Sequence, residues 1–587
     1  MRSPNPGSIA QNRNISRAMF FAGLVAGGAF FAWNYAQGLT VAHYDAKAHL
    51  LVARRIVDSL EPGYAQIGVN WLPLVHLIYL PFVVFELQYR SGFLPSLISV
   101  VAFAISVRLA YKISFRLTES SAAGVFAGVV LMANPNLLYL QSCPLTEPVY
   151  MLLMLLAVDA LIGWRESDHS RLPWRAAAWA SLGALCRYEG WFFLAGVLLL
   201  LACDFRTHCV SGRRAIQAGA VYVAVFGVPM AAHFGYIYYR LGDNFFRRVA
   251  EGNPEPYLTY KRPFLSALYH LGELSQMAAI LPLFVAAAGL LLFLSQRRNW
   301  KARAPLILLW LPSLINISAL YWGLIYRLRY SVLLLPAVAI FGSLIMASGT
   351  AKKRTLFWLS VAVMLLPWIC WIVPKINPHE QLEPGPGTLL LPAAALALFL
   401  FARARRWCGW GALALCVLGV QIPQLARENR PMMVETLEHE FIEAERWEVI
   451  RYLRQNYDGR RILIDMGRQA PLVYDSGLRV REFVYNEGGG VHWHAAFRNP
   501  GKEVGWLCAE KGDSVWQLMQ NPGWIAGYSP VLKTDNFLVY RSGNEIRNSR
   551  FEIDEEPSAR GRPSQLKTDG QCQISNFESR ISNRRLN

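Results

Sequence analysis

Charged side chains are scarce in this chain. Asp, Glu, Lys and Arg make up 17% of its 587 residues, against roughly 25% in ordinary soluble domains. Hydrophobic residues make up 54%, and apolar runs of helix-spanning length recur from residue 18 to residue 422. Crossing a bilayer takes roughly 20 such residues. A soluble globular protein is excluded, and a polytopic helical membrane protein with an appended soluble part is indicated. A clear A-x-A cleavage site is missing from the first run, Ala18–Tyr44, so it reads as a retained anchor rather than a signal peptide. C-x-x-C spacing is missing too. The nine cysteines are odd in number and fall mostly within apolar runs, which excludes a disulfide framework and a zinc ribbon. No internal repeat is visible.

What is plentiful is positive charge, a formal +18. Its distribution excludes nucleic acid as the partner, because the basic residues punctuate the gaps between apolar runs as orientation signals do. They cluster at Lys112/Arg116, Arg165/Arg171/Arg175, Arg206/Arg213/Arg214, Arg297/Arg298/Lys301/Arg303, Lys352/Lys353/Arg354 and Arg403/Arg405/Arg406. With a first span at 17–37 and residues 71–88 lying in the interface, all of these fall on one side, together with the N-terminal arginines. The positive-inside pattern makes that side cytoplasmic. Further spans are predicted near 92–111, 122–140, 148–164, 176–186, 190–204, 214–239, 273–294, 305–324, 330–347, 355–373, 388–402 and 407–422, about thirteen in all.

This partition gives a cytoplasmic N-terminus (1–16), a membrane core (17–345) with an outer loop at 38–91, and additional membrane helices (346–422). The odd count leaves 423–545 outside, as an extracytoplasmic domain. There ENRPMMVETLEHEFIEAERWEVIRYLRQNY reads as helix, and RRILIDM, PLVYDSG, GWLCAEKG and NFLVYRS read as short strands between turns. A small α/β domain is expected. The polar, aperiodic stretch 546–587 reads as a disordered tail.

On this topology a set of polar residues converges at the outer surface. Asp45 is the first carboxylate in the chain. It stands where the first span ends and an amphipathic helix over 46–60 begins, a helix expected to lie in the interface. Asp45 reads either as the N-cap of that helix or as a catalytic acid. Glu147, in QSCPLTEPVY, opens a later span. It is either part of a helix start, with Thr146 as cap and Pro148 in the first turn, or a functional carboxylate. Arg187 and Glu189, in ALCRYEGW, sit at the tip of a short hairpin, where charges within an apolar stretch suggest a site or an ion pair that fixes the turn. Arg327 and Arg329, in YWGLIYRLRYS, lie between two spans on the outer side, against the orientation rule. They are either snorkelling side chains or a cationic site for an anionic headgroup, since the guanidinium fork suits phosphate oxygens. Tyr44 and His49 flank Asp45 as substrate-binding or structural residues. His43, His76 and His233 are also near the outer face. No HExxH spacing accompanies them, and a divalent metal, if one is used, would fall to Asp45 and Glu147. The outer loop 240–272 is a lid or a plain connector.

Carboxylates and arginines at the outer membrane surface suit a reaction between a lipid-borne phosphate and something outside. The order of these residues resembles the GT-C membrane glycosyltransferases. It comprises an early outer-loop Asp, a T-E-P acid, the R-x-E-G hairpin Arg187–Gly190, and Arg329-Tyr330 leading into a helix with Pro336. The likeness covers residues 17–345. It is greatest to the branch holding dolichyl-phosphate-mannose-dependent mannosyltransferases and the aminoarabinose transferases of lipid A. The resemblance implies transfer of a sugar from a polyprenyl-phosphate donor to a glycan, lipid or protein acceptor, with inversion, on the periplasmic or lumenal face of what would be a bacterial inner membrane. It also implies Asp45 as the catalytic residue and Arg327 and Arg329 as phosphate ligands; Glu147, read with Asp45 as catalytic, would position the acceptor or share a metal with it. The chain departs from relatives at three points. Asp45 is followed by Ala46 where protein O-mannosyltransferases have Asp-Glu, no WWDYG motif is present, and Trp71-Leu72-Pro73-Leu74 stands where aminoarabinose transferases have K-P-P-L. Two other readings are a transporter or flippase of lipid-linked saccharides and a scaffold presenting the C-terminal domain. Transporters build sites at the midplane between repeats, whereas these charges gather at one face.

Overall fold

In hydrocarbon an apolar run can satisfy its own backbone polar groups by coiling into a helix, and the computed structural model of the chain is built this way. It describes residues 6–347, apart from 168, 170–171, 244, 252–253, 255–256, 296–302 and 325, and residues 431–543, apart from 438–439 and 489, with 419 and 421 between them. The helices of the first part are α1 (Pro6–Ala36), α2 (Tyr44–Arg55), α3 (Pro73–Val83), α4 (Glu86–Ser91), α5 (Phe93–Thr118), α6 (Ser121–Met132), α7 (Pro135–Leu140), α8 (Glu147–Glu166), α9 (Trp174–Cys186), α10 (Glu189–Arg206), α11 (Gly212–Leu241), α12 (Phe245–Glu251), α13 (Pro263–Ala278), α14 (Ile280–Ser295), α15 (Leu311–Trp322) and α16 (Leu335–Ala347). The 3₁₀ turns Ala304–Trp310 and Leu328–Leu334 lead into the last two.

Among the described residues six helical segments are long and apolar enough to cross a membrane, or seven if one bent pair counts as a span. Thirteen were expected. The three spans expected over 355–373, 388–402 and 407–422 lie outside the described residues, 419 and 421 apart, as does the tail expected over 546–587. Two other departures have local causes. The run 122–140 breaks because Asn134 caps a new helix, its side chain accepting from the Leu137 N–H at 2.9 Å, with Pro135 in the first turn. The run 273–294 contains a bend of 115° between α13 and α14, where Ala279 adopts φ 60°. The hairpin of α9 and α10 forms with Arg187 at its tip, as its basic flanks suggested. Helix α3, at 11 residues, is about 16 Å long, half of what a crossing needs.

Helix α2 does not lie with a wetted polar face. Lys47 and Arg55 are as buried as Leu50 and Ala53, because the C-terminal part covers them. Lys47 Nζ pairs with Asp475 at 2.5 Å. Arg55 pairs with Glu487 at 3.4 Å and donates to the carbonyls of Gln66 and Ile67. Arg54 bridges Asp58 and Glu86 and donates to the Val83 and Val84 carbonyls.

That C-terminal part carries α17 (Pro431–Leu437), α18 (Glu440–Asn456), β1 (Ile462–Ile464), α19 (Met466–Ser476), β2 (Phe483–Tyr485), β3 (Trp506–Glu510), β4 (Tyr528–Lys533) and β5 (Phe537–Ser542). The strands form one sheet in the order β2-β1-β3-β5-β4. β1 runs parallel to β2 and β3, while β5 is antiparallel to β3 and β4. The segment PLVYDSG, read as a strand, belongs instead to α19. Parallel neighbours need a crossover, usually helical, and α19 is the crossover from β1 to β2. Asp465 caps it by accepting from the Gly467 N–H at 3.1 Å. Strands β2 and β4 were not anticipated.

Candidate active site

Four chain segments meet around Arg329. Helix α2 supplies the first, but its N-cap is His43 rather than Asp45: His43 Nδ1 accepts from the Asp45 N–H at 3.0 Å. The capping role considered for Asp45 therefore belongs to its neighbour, and the Asp45 carboxylate pairs with Arg329 Nη2. Arg329 Nε donates to Glu147 Oε1 at 2.9 Å, and Nη1 donates to Glu435 Oε1 at 3.2 Å. The Arg329 backbone N–H donates to Glu435 Oε2 at 3.0 Å. One guanidinium thus holds three carboxylates, drawn from the first loop, the start of α8 and α17.

Arg187 extends the network. Its Nη1 donates to Glu147 Oε1 at 2.8 Å and to Thr146 Oγ1 at 2.7 Å, while Nε and Nη2 grip Glu189 as a fork at 3.1 and 2.7 Å. The Thr146 hydroxyl makes no capping bond to α8. The Tyr330 ring lies 5.0 Å from the Arg187 guanidinium and 5.2 Å from that of Arg329, within the range of cation–π attraction.

Arg327 is placed differently from Arg329. It is exposed, forms no ion pair with a described residue, and is close enough to help hold Asp45 ionised. The two arginines expected together as phosphate ligands therefore divide into one committed to carboxylates and one with its guanidinium available.

Asp45, Glu147, Glu189 and Glu435 face two buried guanidinium groups, a formal excess of two negative charges before Arg327 is added. Burial alone would push the Asp45 carboxyl up, but Arg329, then His43 and His49, bring it down to about 2. Glu435 is likewise lowered despite its burial, by His43 and Arg329. His43 Nε2 donates to Glu435 Oε1 at 3.2 Å, consistent with Nδ1 acting as the acceptor. His49, one turn beyond Asp45 on α2, is pushed down to about 4 by burial, with Asp45 and Glu147 only partly opposing. Its tautomer follows from its partners. His76 Nδ1 donates to the Leu72 carbonyl at 2.7 Å, which leaves His76 Nε2 to accept from His49 Nδ1 at 3.0 Å and the His49 Nε2 lone pair unshared by that chain. Tyr44 turns to the C-terminal part, its hydroxyl donating to the Gly467 carbonyl at 3.0 Å. His233 contacts the Tyr64 hydroxyl at 2.8 Å. Asp45 and Glu147 each direct an oxygen at Arg329, and among the described residues no group of three or more His, Cys, Asp or Glu is arranged to hold a metal ion.

The network thus brings together Asp45, Glu147, Arg187, Glu189 and Arg329, with His49 alongside. Glu435 was not anticipated. A sequence signal exists, since Glu435 follows the wholly buried Met432 by three residues and so shares its helix face.

No family model matches the chain, and no curated protein matches it. Its fold is similar to that of solved membrane glycosyltransferases. The aminoarabinose transferase ArnT from Cupriavidus metallidurans bound to undecaprenyl phosphate superposes with a TM-score of 0.51 at 13% identity, over 92% of this chain and 99% of that one. The same enzyme in the apo state gives 0.51 at 12%, over 87% and 97%. The arabinosyltransferase EmbB from Mycobacterium smegmatis gives 0.41 at 15%, over 71% and 41%. At these identities the likeness is one of fold.

Proposed function

We propose that the chain is a membrane glycosyltransferase that moves a sugar from a polyprenyl-phosphate donor to an acceptor hydroxyl on the extracytoplasmic face, with inversion. The observation that carries this reading is the gathering of Asp45, Glu147 and Glu435 on Arg329 beside the exposed Arg327. The ArnT structure of like fold, bound to undecaprenyl phosphate, supports the polyprenyl carrier.

In this mechanism Arg327 meets the donor phosphate. The acceptor oxygen attacks the anomeric carbon from the face opposite the phosphate. As the new C–O bond forms, the bond to the phosphate oxygen breaks, its electron pair leaves with polyprenyl phosphate, and the acceptor proton passes to Asp45. A carboxylate held near 2 is a weak base. Arg329 offers a remedy: a phosphate that takes over its Nη2 donor frees Asp45, whose carboxyl then returns toward its ordinary value. The base is armed only when the donor is bound. Glu147, Arg187 and Glu189 hold Arg329 in register, and Glu435 does so from the C-terminal side.

The basic clusters put the N-terminus in the cytoplasm. The C-terminal domain, packed on the outer loop through Lys47–Asp475 and Arg55–Glu487, then lies outside. The test is purified protein with radiolabelled polyprenyl-phosphate hexoses and pentoses and a set of acceptors, wild type beside Asp45→Asn. A transporter would tolerate that substitution in an export assay; the transferase loses turnover while still binding donor.

A further inference from the structure

The carboxyl ends of three neighbouring parallel strands meet at one edge of the C-terminal sheet, where ligands gather in open parallel sheets. Asn486 follows β2, Asp465 follows β1 and Glu510 ends β3. Asp465 is spent internally: Oδ1 accepts from Gly467 N–H at 3.1 Å and Asn486 Nδ2 at 2.7 Å, and Oδ2 from Ser514 N–H at 3.1 Å and Oγ at 2.5 Å. Asp513 is spent too, on the N–H groups of Glu510 and Trp516 and on Gln469 Nε2.

Three polar atoms here are not spent. Asn486 Oδ1, Glu510 Oε2 and Arg446 Nε are buried with no hydrogen-bond partner. Arg446, on α18, is 7% exposed, yet among the described residues it makes neither a hydrogen bond nor an ion pair. An arginine this deep is ordinarily paired, because an uncompensated buried charge is strongly destabilising. Its charge acts on both Glu510 and Tyr44. Burial pushes the Glu510 carboxyl up, and Arg446 offsets this only in part. Tyr44 joins this edge to the reaction site: its hydroxyl bonds Gly467 at the start of α19, and its backbone runs directly into Asp45.

The unspent Arg446 guanidinium and the two unspent acceptors, Asn486 Oδ1 and Glu510 Oε2, set the ligand chemistry. A phosphate or carboxylate would satisfy Arg446 but leave Asn486 Oδ1 and Glu510 Oε2 facing further acceptor oxygens. Hydroxyls both donate and accept, and adjacent sugar hydroxyls offer both. We propose that this edge is a saccharide-binding subsite and, resting on the glycosyltransferase reading above, that it holds a sugar of the acceptor beside Asp45.

The test is retention of full-length protein in detergent on an array of hexose, hexosamine and heptose oligosaccharides. Wild type and Asp45→Asn should retain the same glycans, and Arg446→Met and Glu510→Gln should bind them at least tenfold more weakly. Without glycan, the thermal midpoint of Arg446→Met should hold or rise, since an unpaired buried charge has gone. The proposal is overturned if wild type retains no glycan, if either variant binds as wild type does, or if Arg446→Met loses binding together with a lowered midpoint, the mark of a purely structural arginine. Retention by Asp45→Asn needs no turnover, so a failed transfer assay leaves this result standing. Active transfer with no glycan retained removes the subsite alone.

Discussion

The Arg329 guanidinium and backbone N–H both donate to the Glu435 carboxylate, at 3.2 and 3.0 Å, across 106 residues of chain. A residue at the mouth of the membrane core is thereby gripped by the helix that leads into the C-terminal sheet. The same carboxylate accepts from His43, which caps the helix carrying Asp45. The C-terminal part is thus built into the candidate site rather than tethered beside it.

Glu435→Gln tests that grip. The amide keeps one acceptor but loses the charge that Arg329 and His43 share. The transfer rate should fall at least about tenfold, roughly 1.4 kcal/mol in barrier, with the donor KM little changed. His43→Gln should behave similarly. In the double variant the losses should not add, with a coupling of about 0.5–3 kcal/mol. Additive losses in steady-state kinetics would mean that the two residues act separately.

Arg327 and Arg329 should part company under mutation. Arg327→Ala should raise the donor KM and leave the thermal midpoint near wild type, because its side chain is exposed and unpaired among the described residues. Arg329→Ala removes the ion-pair partner of Asp45, leaves Glu147 to Arg187 alone and Glu435 to His43, and should destabilise by about 3–5 kcal/mol. Thermal unfolding in detergent beside donor titration separates these outcomes. An unchanged donor KM in Arg327→Ala would move phosphate recognition elsewhere.

Acid should weaken the fold in two stages. His49, held down at about 4 against an ordinary 6.5, stays neutral while the unfolded chain takes up a proton, so stability is full above about 6.5 and is lost as pH falls toward 4, by at most about 3 kcal/mol. Asp45, held near 2 against 3.8, adds a second loss between about 4 and 2 in the same direction. Thermal midpoints measured from pH 7.5 to 4 should decline, and His49→Phe should flatten the upper part of that decline. A midpoint independent of pH across 6.5 to 4 would contradict the buried neutral imidazole.

Glu487 ties the two parts together, accepting from Asn70 at 3.0 Å, Trp71 at 3.1 Å and Arg55 at 3.4 Å. Glu487→Ala leaves Arg55 buried without an anionic partner, held by the Gln66 and Ile67 carbonyls and the Met466 sulfur. The expected cost is about 3 kcal/mol, read as faster limited proteolysis around 423–545 and lower transfer activity. Wild-type protease resistance would show that other contacts hold the domain.

The membrane spans that formed as single helices, and the meeting of Asp45, Glu147, Arg187, Glu189 and Arg329, were legible in the sequence for one reason. A charge beside an apolar run is costly alone, so charges spread over 284 residues had reason to find one another. What was hidden depended on partners that local pattern does not carry. Lys47 and Arg55 read as a wet face because nothing nearby in sequence announces Asp475 and Glu487. Glu435 stands among five other glutamates between residues 435 and 448, most of which look like solvent-facing helix residues. PLVYDSG has the composition of a strand, and only the parallel pairing of β1 and β2 demands that it cross over as a helix. The Asn134-Pro135 step, by contrast, carries a helix-break signal in the sequence, masked by the apolar run around it.

The central claim is that Asp45 takes the acceptor's proton at a site that Arg329 assembles. It is tested most directly by following a radiolabelled polyprenyl-phosphate hexose with an acceptor, using wild type and Asp45→Asn. The expected result is label moved to the acceptor by wild type, with Asp45→Asn binding the donor equally well and transferring on the order of a thousandfold more slowly. Transfer by Asp45→Asn at the wild-type rate would contradict it.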